Sequence, residues 1–253
     1  MTTLKCISPV DGSVYAERPV LAAAAAMEVV DRARAAHKEW AARPLDERID
    51  LVKAGIARLN DMKAEVVPEL AWMMGRPVRY GGEYGGVNER TAYMAEIAAE
   101  ALAPLVVEDS DRFRRFIARE PHGVVFVIAP WNYPYLTAIN TIVPALIAGN
   151  AVIIKHATQT LLVGERIDFI NFTGSVGGGQ AIERAAAGTF TGLGLELGGK
   201  DPGYVMDDAD LDWAVDVLMD GAMYNAGQCC CGIERIYVAA RLYDAFVEKS
   251  VEW

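Results

Sequence analysis

The chain has 253 residues, 53% of them apolar and 23% charged, and its 24 Lys and Arg against 34 Asp and Glu leave a formal charge of −10. That length supports a core needing no disulfide or metal staple, and the composition is globular rather than disordered. The acidic balance argues against a nucleic-acid partner, which wants a basic footprint. No apolar run approaches the roughly 18 residues of a membrane helix, which argues against a membrane partner.

The N-terminus, Met1 to Cys6, lacks the apolar core of a signal peptide, and the Ala-rich stretch Leu21–Met27 lies too far in. The expectation is a soluble, cytoplasmic protein. The first hundred or so residues read as helices. Ala22–Trp40 is rich in strong helix formers, and Ile49, Val52, Ile56 and Leu59 put Leu45–Leu59 on the helical period. Asp61–Met74 continues the pattern, with Pro68 expected to kink or split it. A glycine-rich loop at Gly81–Gly86 leads into an amphipathic helix, Glu83–Ala101.

After about Asp111 short β-branched runs alternate with helical ones. Arg114–Arg119 reads as a hairpin strand, Val124–Ile128 as a buried strand, Thr137–Ala148 as a helix, and Ala151–Lys155 and Ile167–Phe172 as further strands. A glycine-rich turn precedes helix Gln180–Ala187; then come helix Leu211–Met223, strand Ile236–Val238 and helix Leu242–Val251. Strand–helix alternation predicts an α/β fold with a parallel sheet and a ligand at the carboxyl ends of its strands. One connection is anomalous. Only His156–Arg166 separate two expected parallel strands, the lower limit for a crossover.

Four cysteines are present, Cys6 and the contiguous Cys229, Cys230 and Cys231. Neighbours in sequence cannot staple distant parts of a fold, and a triplet is not zinc-ligand spacing, so no metal site is expected. A buried Cys is commonly a small hydrophobe, but three beside Gly227-Gln228 point to a reactive thiol. Gly194–Lys200 matches the spacing of a phosphate loop, yet Asp201 stands where Ser or Thr must hold magnesium. Phe172-Thr-Gly-Ser-Val-Gly-Gly-Gly179 is either an ordinary turn or a helix N-terminus offering amides to a pyrophosphate. In Pro130-Trp-Asn132-Tyr-Pro134 the Asn is a turn residue or a donor to an oxyanion. Glu196, flanked by leucines, is a surface acid or a poorly solvated carboxylate suited to general-base work.

Read together in this order, Pro-Trp-Asn-Tyr-Pro, Lys155, Phe-Thr-Gly-Ser, Leu-Glu-Leu-Gly-Gly-Lys and Gly-Gln-Cys-Cys resemble the aldehyde dehydrogenase superfamily from about Ile7 to the last residue. The resemblance implies a Rossmann-like cofactor domain with N-terminal helices over residues 1–227, and the beginning of a catalytic domain over 228–253. It implies NAD(P)+-dependent oxidation of a small-molecule aldehyde to a carboxylic acid. Cys230 would be the nucleophile, Glu196 the general base, and the Asn132 amide, with the Cys230 N–H, the oxyanion donor. NADP or NAD would meet Ile128, Ala129, Trp131, Asn132, Lys155, Thr158, Gly174, Ser175, Glu196 and Leu197. Family members that prefer NAD+ commonly carry Glu where Thr158 stands, so NADP+ is expected to be accepted or preferred.

Two departures from the family stand out. Some forty family residues are missing near 165–166, which would leave a hole or an unpaired edge in the cofactor sheet, and the family's remaining catalytic domain does not follow Trp253. The segment 111–123 resembles the hairpin used for homo-oligomerisation in the intact family. Two functional readings therefore stand: an aldehyde dehydrogenase, or an inactive variant serving as a nucleotide-binding or assembly module.

Overall fold

The computed structural model describes residues 3–156 and 166–253. Its centre is a four-stranded parallel sheet in the order β6-β5-β7-β8, formed by β5 (Val124–Ala129), β6 (Ala151–His156), β7 (Phe169–Thr173) and β8 (Gly192–Glu196). Every residue of β5 is buried, as a central parallel strand with helices on both faces requires. Its alternation sorts the two faces. Val124, Phe126 and Ile128 pack with Val30 of α1 (Ala23–Ala41) and Ile182 of α6 (Val176–Ala186), whereas Val125 and Val127 meet Ala145 of α5 (Leu136–Ile147). Phe126 and Ile170 have no exposed surface, and burying each contributes roughly 1.5–3 kcal/mol.

Strands β6 and β7 flank β5 on opposite sides, so the connections diverge beside it. That divergence opens a crevice at the carboxyl ends of β5 and β7, the usual ligand position in such sheets. β6 is the sheet's edge among the described residues. The short connection inferred from the sequence falls largely on residues 157–165, outside the described residues, and Thr158 lies there too.

Helices α2 (Leu45–Asp61), α3 (Lys63–Met74) and α4 (Tyr84–Leu102) form a second layer against α5. Val52 and Ile49, on the face read from the sequence, pack with Val87, Ile139 and Val143. Several expectations are corrected here. α3 runs through Pro68 and stops at Gly75, whose φ of 76° ends the helix. The N-terminal region also contains a hairpin, β1 (Thr3–Ile7) with β2 (Val14–Pro19), where only helices were expected. The exposed second hairpin pairs β3 (Leu105–Asp109) with β4 (Arg114–Ile117), earlier than the expected 111–123.

A further layer pairs β9 (Asp201–Val205) in parallel with β10 (Ile233–Val238). Val205 packs with Ala214 and Val215 of α7 (Leu211–Met223) and Phe246 of α8 (Tyr243–Glu252). The expected domain boundary at 227/228 runs through this layer, with β9 and α7 before it and β10 and α8 after it. No helix among the described residues is long and apolar enough to cross a membrane.

Candidate active site

The crevice is a cavity of about 590 Å³. Its floor comes from the end of β5 and the following loop, where Ile128, Ala129, Trp131 and Asn132 line it. Gly174 and Ser175 approach from the end of β7, Glu196 from the end of β8, and Cys230 from the loop after α7. The structure thus brings Asn132, Glu196 and Cys230, about a hundred residues apart at the extremes, to one concavity.

Local chemistry explains each placement. Ser175 caps α6, its Oγ accepting from the Gly178 N–H at 3.1 Å. The helix therefore begins at Val176, four residues before the start expected from the sequence, and absorbs Gly177, Gly178 and Gly179 into its first turn. These glycines permit close packing: a Cβ on Gly178 would sit 2.6 Å from the Phe172 ring, and one on Gly179 would sit 2.5 Å from Leu197. Leu197 thus packs on α6 rather than lining the cavity.

Lys155 lies in register beside Ile128 but does not line the cavity. Its Nζ is buried with no hydrogen-bond partner among the described residues, and burial lowers its pKa below the ordinary lysine value. A buried ammonium without an acceptor is a group for which a ligand oxygen would compensate.

Of the two settings open to Glu196, the structure shows the surface one: its side chain is exposed and accepts from the Gly198 N–H at 3.0 Å. Leu195, its neighbour in β8, is itself 40% exposed, and Leu197, beyond the end of β8, packs on α6, so neither covers it. Cys230 is half-buried, and its thiol pKa is raised, first by burial and then by the Glu196 charge and Cys229. Of the three adjacent cysteines, Cys230 lines the cavity, while the Cys229 and Cys231 sulfurs lie 3.4 Å apart.

Three further residues hold this loop pair, and the sequence reading did not single them out. Arg76 is 4% exposed; its Nε donates to Asn225 Oδ1 at 2.9 Å, one terminal nitrogen to Glu83 at 2.9 Å and the other to the Asn132 carbonyl at 2.6 Å. Glu83 accepts in turn from the Tyr135 N–H at 3.0 Å and from the Leu136 N–H. Burial raises the Glu83 pKa against the opposing pull of the Leu136 amide and Arg76. The Asn132 amide nitrogen donates to the Gln228 carbonyl at 3.0 Å, so the β5 loop and the cysteine loop are tied directly as well. Asn225 is fully buried at φ 53° and ψ 38°, Ala226 follows at φ 57° and ψ 35°, and Gly227 at φ 74°: a left-handed turn leading into the cysteines. The available signals were Gly75 and Pro77 bracketing Arg76, and an Asn two residues before Gly227.

The architecture is of a defined class: a parallel α/β sheet with a switch-point crevice lined by a cysteine, an amide donor and a carboxylate. The comparisons make this specific. The model of the aldehyde dehydrogenase family matches residues 1–167 and 158–253, and the chain belongs to that family. Lactaldehyde dehydrogenase of Escherichia coli K12 is 30% identical over 287 aligned positions, covering 97% of this chain and 59% of that protein. Those positions outnumber the 253 residues present, so that relative carries internal residues without a counterpart here. The solved NADP-dependent glyceraldehyde-3-phosphate dehydrogenase from Bacillus halodurans C-125, complexed with NADP, is 28% identical with a TM-score of 0.87, covering 99% of this chain and 61% of that one. PnpE in complex with nicotinamide adenine dinucleotide is 25% identical with a TM-score of 0.92, covering 99% and 59%. The chain thus spans about three-fifths of the length of these proteins.

Proposed function

We propose that this chain carries the nucleophile, oxyanion donor and base of an NAD(P)+-dependent aldehyde dehydrogenase. The observation that carries this reading is the convergence of Cys230, Asn132 and Glu196 on one cavity at the switch point of the sheet. Glu196 helps remove the Cys230 thiol proton, the thiolate adds to the aldehyde carbon as the C=O π bond opens, and the oxygen takes the negative charge of a thiohemiacetal adduct. The Asn132 Nδ2 then exchanges the Gln228 carbonyl for that oxygen. A donor of this kind is typically worth about 10²–10³ in kcat, and Asn132→Ala should lose that much.

The dinucleotide, when bound, accepts the hydride that leaves the adduct carbon. Residues that fit it are present: the buried Lys155 Nζ, without a hydrogen-bond partner among the described residues, for a hydroxyl or phosphate oxygen, the α6 N-terminus beside Ser175, and the apolar wall of Ile128 and Ala129. Two of the solved relatives hold NADP and NAD, which supports either dinucleotide here. Glu196 takes a proton from the water that hydrolyses the Cys230 thioester, releasing the carboxylic acid and restoring the thiol.

The second reading, a nucleotide-binding or assembly module without turnover, is favoured by the exposure of Glu196, since a base of this kind works best in a dry pocket. One experiment separates the two. The purified chain is mixed with NADP+ or NAD+ and a panel of aldehydes, and reduced nicotinamide absorbance is followed with Cys230→Ala as control. Turnover lost in the variant supports the enzyme; cofactor binding without turnover supports the module; neither, from a cooperatively folded chain, overturns both.

A further inference from the structure

Cys229 and Cys231 are placed unlike the thiol between them. Their sulfurs are 3.4 Å apart and share one S–H hydrogen bond. The Gly232 N–H closes a turn on the Cys229 carbonyl at 3.2 Å, which draws the first and third residues together. Cys231 is exposed and Cys229 half-buried, so a small solute reaches the pair from solvent. Cys230 meanwhile faces the cavity.

We propose that Cys229 and Cys231 form a modification site of their own, a dithiol that a peroxide converts to a disulfide while Cys230 stays free. One thiol attacks the peroxide: the O–O bond breaks, sulfur takes a hydroxyl as sulfenic acid, and the other oxygen leaves as water or an alcohol. The neighbouring sulfur then displaces that hydroxyl as water, forming the S–S bond. Each sulfur is oxidised by one electron and the peroxide is reduced by two. The Cys231 thiol, pushed up to about 11 chiefly by its hydrogen bond to Cys229, keeps its proton at neutral pH. The site needs neither the base nor the cofactor cleft, and so stands apart from the catalytic reading above.

The test uses the full chain as a Cys6→Ser, Cys230→Ser double variant, treated with hydrogen peroxide, blocked with iodoacetamide and digested with trypsin. Cys229 and Cys231 fall on one peptide, Asp201–Arg235. The expected result is loss of both alkylation sites on a single-chain peptide, recovered by a thiol reductant. Adding Cys231→Ser should leave Cys229 as a sulfenic acid that dimedone traps. Persistence of both alkylatable thiols, a bridge that forms only when Cys230 is present, or a bridge between two chains would each overturn the proposal.

Discussion

Arg76 and Glu83 form an ion pair at 2.9 Å with 4% and 1% of their side chains exposed, and that pair holds the loop after β5 through the Asn132 carbonyl and the Tyr135 N–H while Arg76 also reaches the Asn225 side chain. Removing one partner of a buried pair leaves the other's charge uncompensated, at a cost of about 3–5 kcal/mol. Arg76→Met should therefore lower stability by that order in denaturant unfolding. Glu83→Gln keeps an acceptor for the Tyr135 and Leu136 amides but removes the charge that compensates buried Arg76, so it should cost a loss of the same order. Losses below about 1 kcal/mol in both variants would mean that the ion pair itself contributes little.

The lowered pKa of Lys155 gives a pH dependence of definite sign. Burial depresses its value in the folded chain, so the unfolded chain binds the proton more tightly. Stability should then rise as pH climbs from the folded value toward the ordinary lysine range. Urea midpoints of the cofactor-free chain between neutral pH and pH 10 should increase, and Lys155→Met should flatten the increase. A rise of the same size in the variant would assign it to other groups.

Cys230 should be a slow thiol in the absence of substrate. Burial and the Glu196 carboxylate both disfavour its thiolate. In a background lacking Cys6, Cys229 and Cys231, the pH midpoint for alkylation by iodoacetamide should lie above the ordinary cysteine value, and Glu196→Gln should move it down. An unchanged midpoint would show that burial alone sets it.

Gly179→Ala probes the contact between the cofactor-side helix and the strand that ends in Glu196. Its Cβ would lie 2.5 Å from Leu197 Cδ2, so Leu197 must move. Overpacking of this kind costs about 1–3 kcal/mol. The additional Leu197→Ala change should restore part of that loss in thermal unfolding, whereas Gly177→Ala, with open space around it, should be tolerated.

The sheet centre was legible because β5 and β6 are runs rich in Val and Ile, and β5 is buried throughout. The helical face of Val52 followed from period, and α5 from the alternation of strand and helix runs. β8 and β9 were not legible: Gly192, Gly194, Pro202 and Gly203 dilute the β-forming residues, and the pairing with neighbouring strands supplies what the sequence lacks. The start of α6 was missed for a related reason, since three glycines look like a turn until Phe172 and Leu197 are seen occupying the space they leave. Among the site residues, Cys230, Asn132 and Glu196 were found through resemblance, and the cavity brings them together. Arg76 and Glu83 resemble solvent-facing loop charges in the sequence, and only the tertiary fold buries them. For Glu196 the sequence left two settings open, and the exposed one is found because Leu195 is itself exposed and Leu197 packs on α6.

The left-handed turn at Asn225, Ala226 and Gly227 makes the approach to Cys230 a matter of chirality. Ala226, at φ 57° and ψ 35°, holds the mirror image of an ordinary helical backbone, which an L-residue adopts at a cost of about 1–2 kcal/mol. D-alanine would occupy the same dihedrals in its own favoured basin. A semisynthetic chain carrying D-Ala226 should then be the more stable stereoisomer, an inversion of the usual penalty.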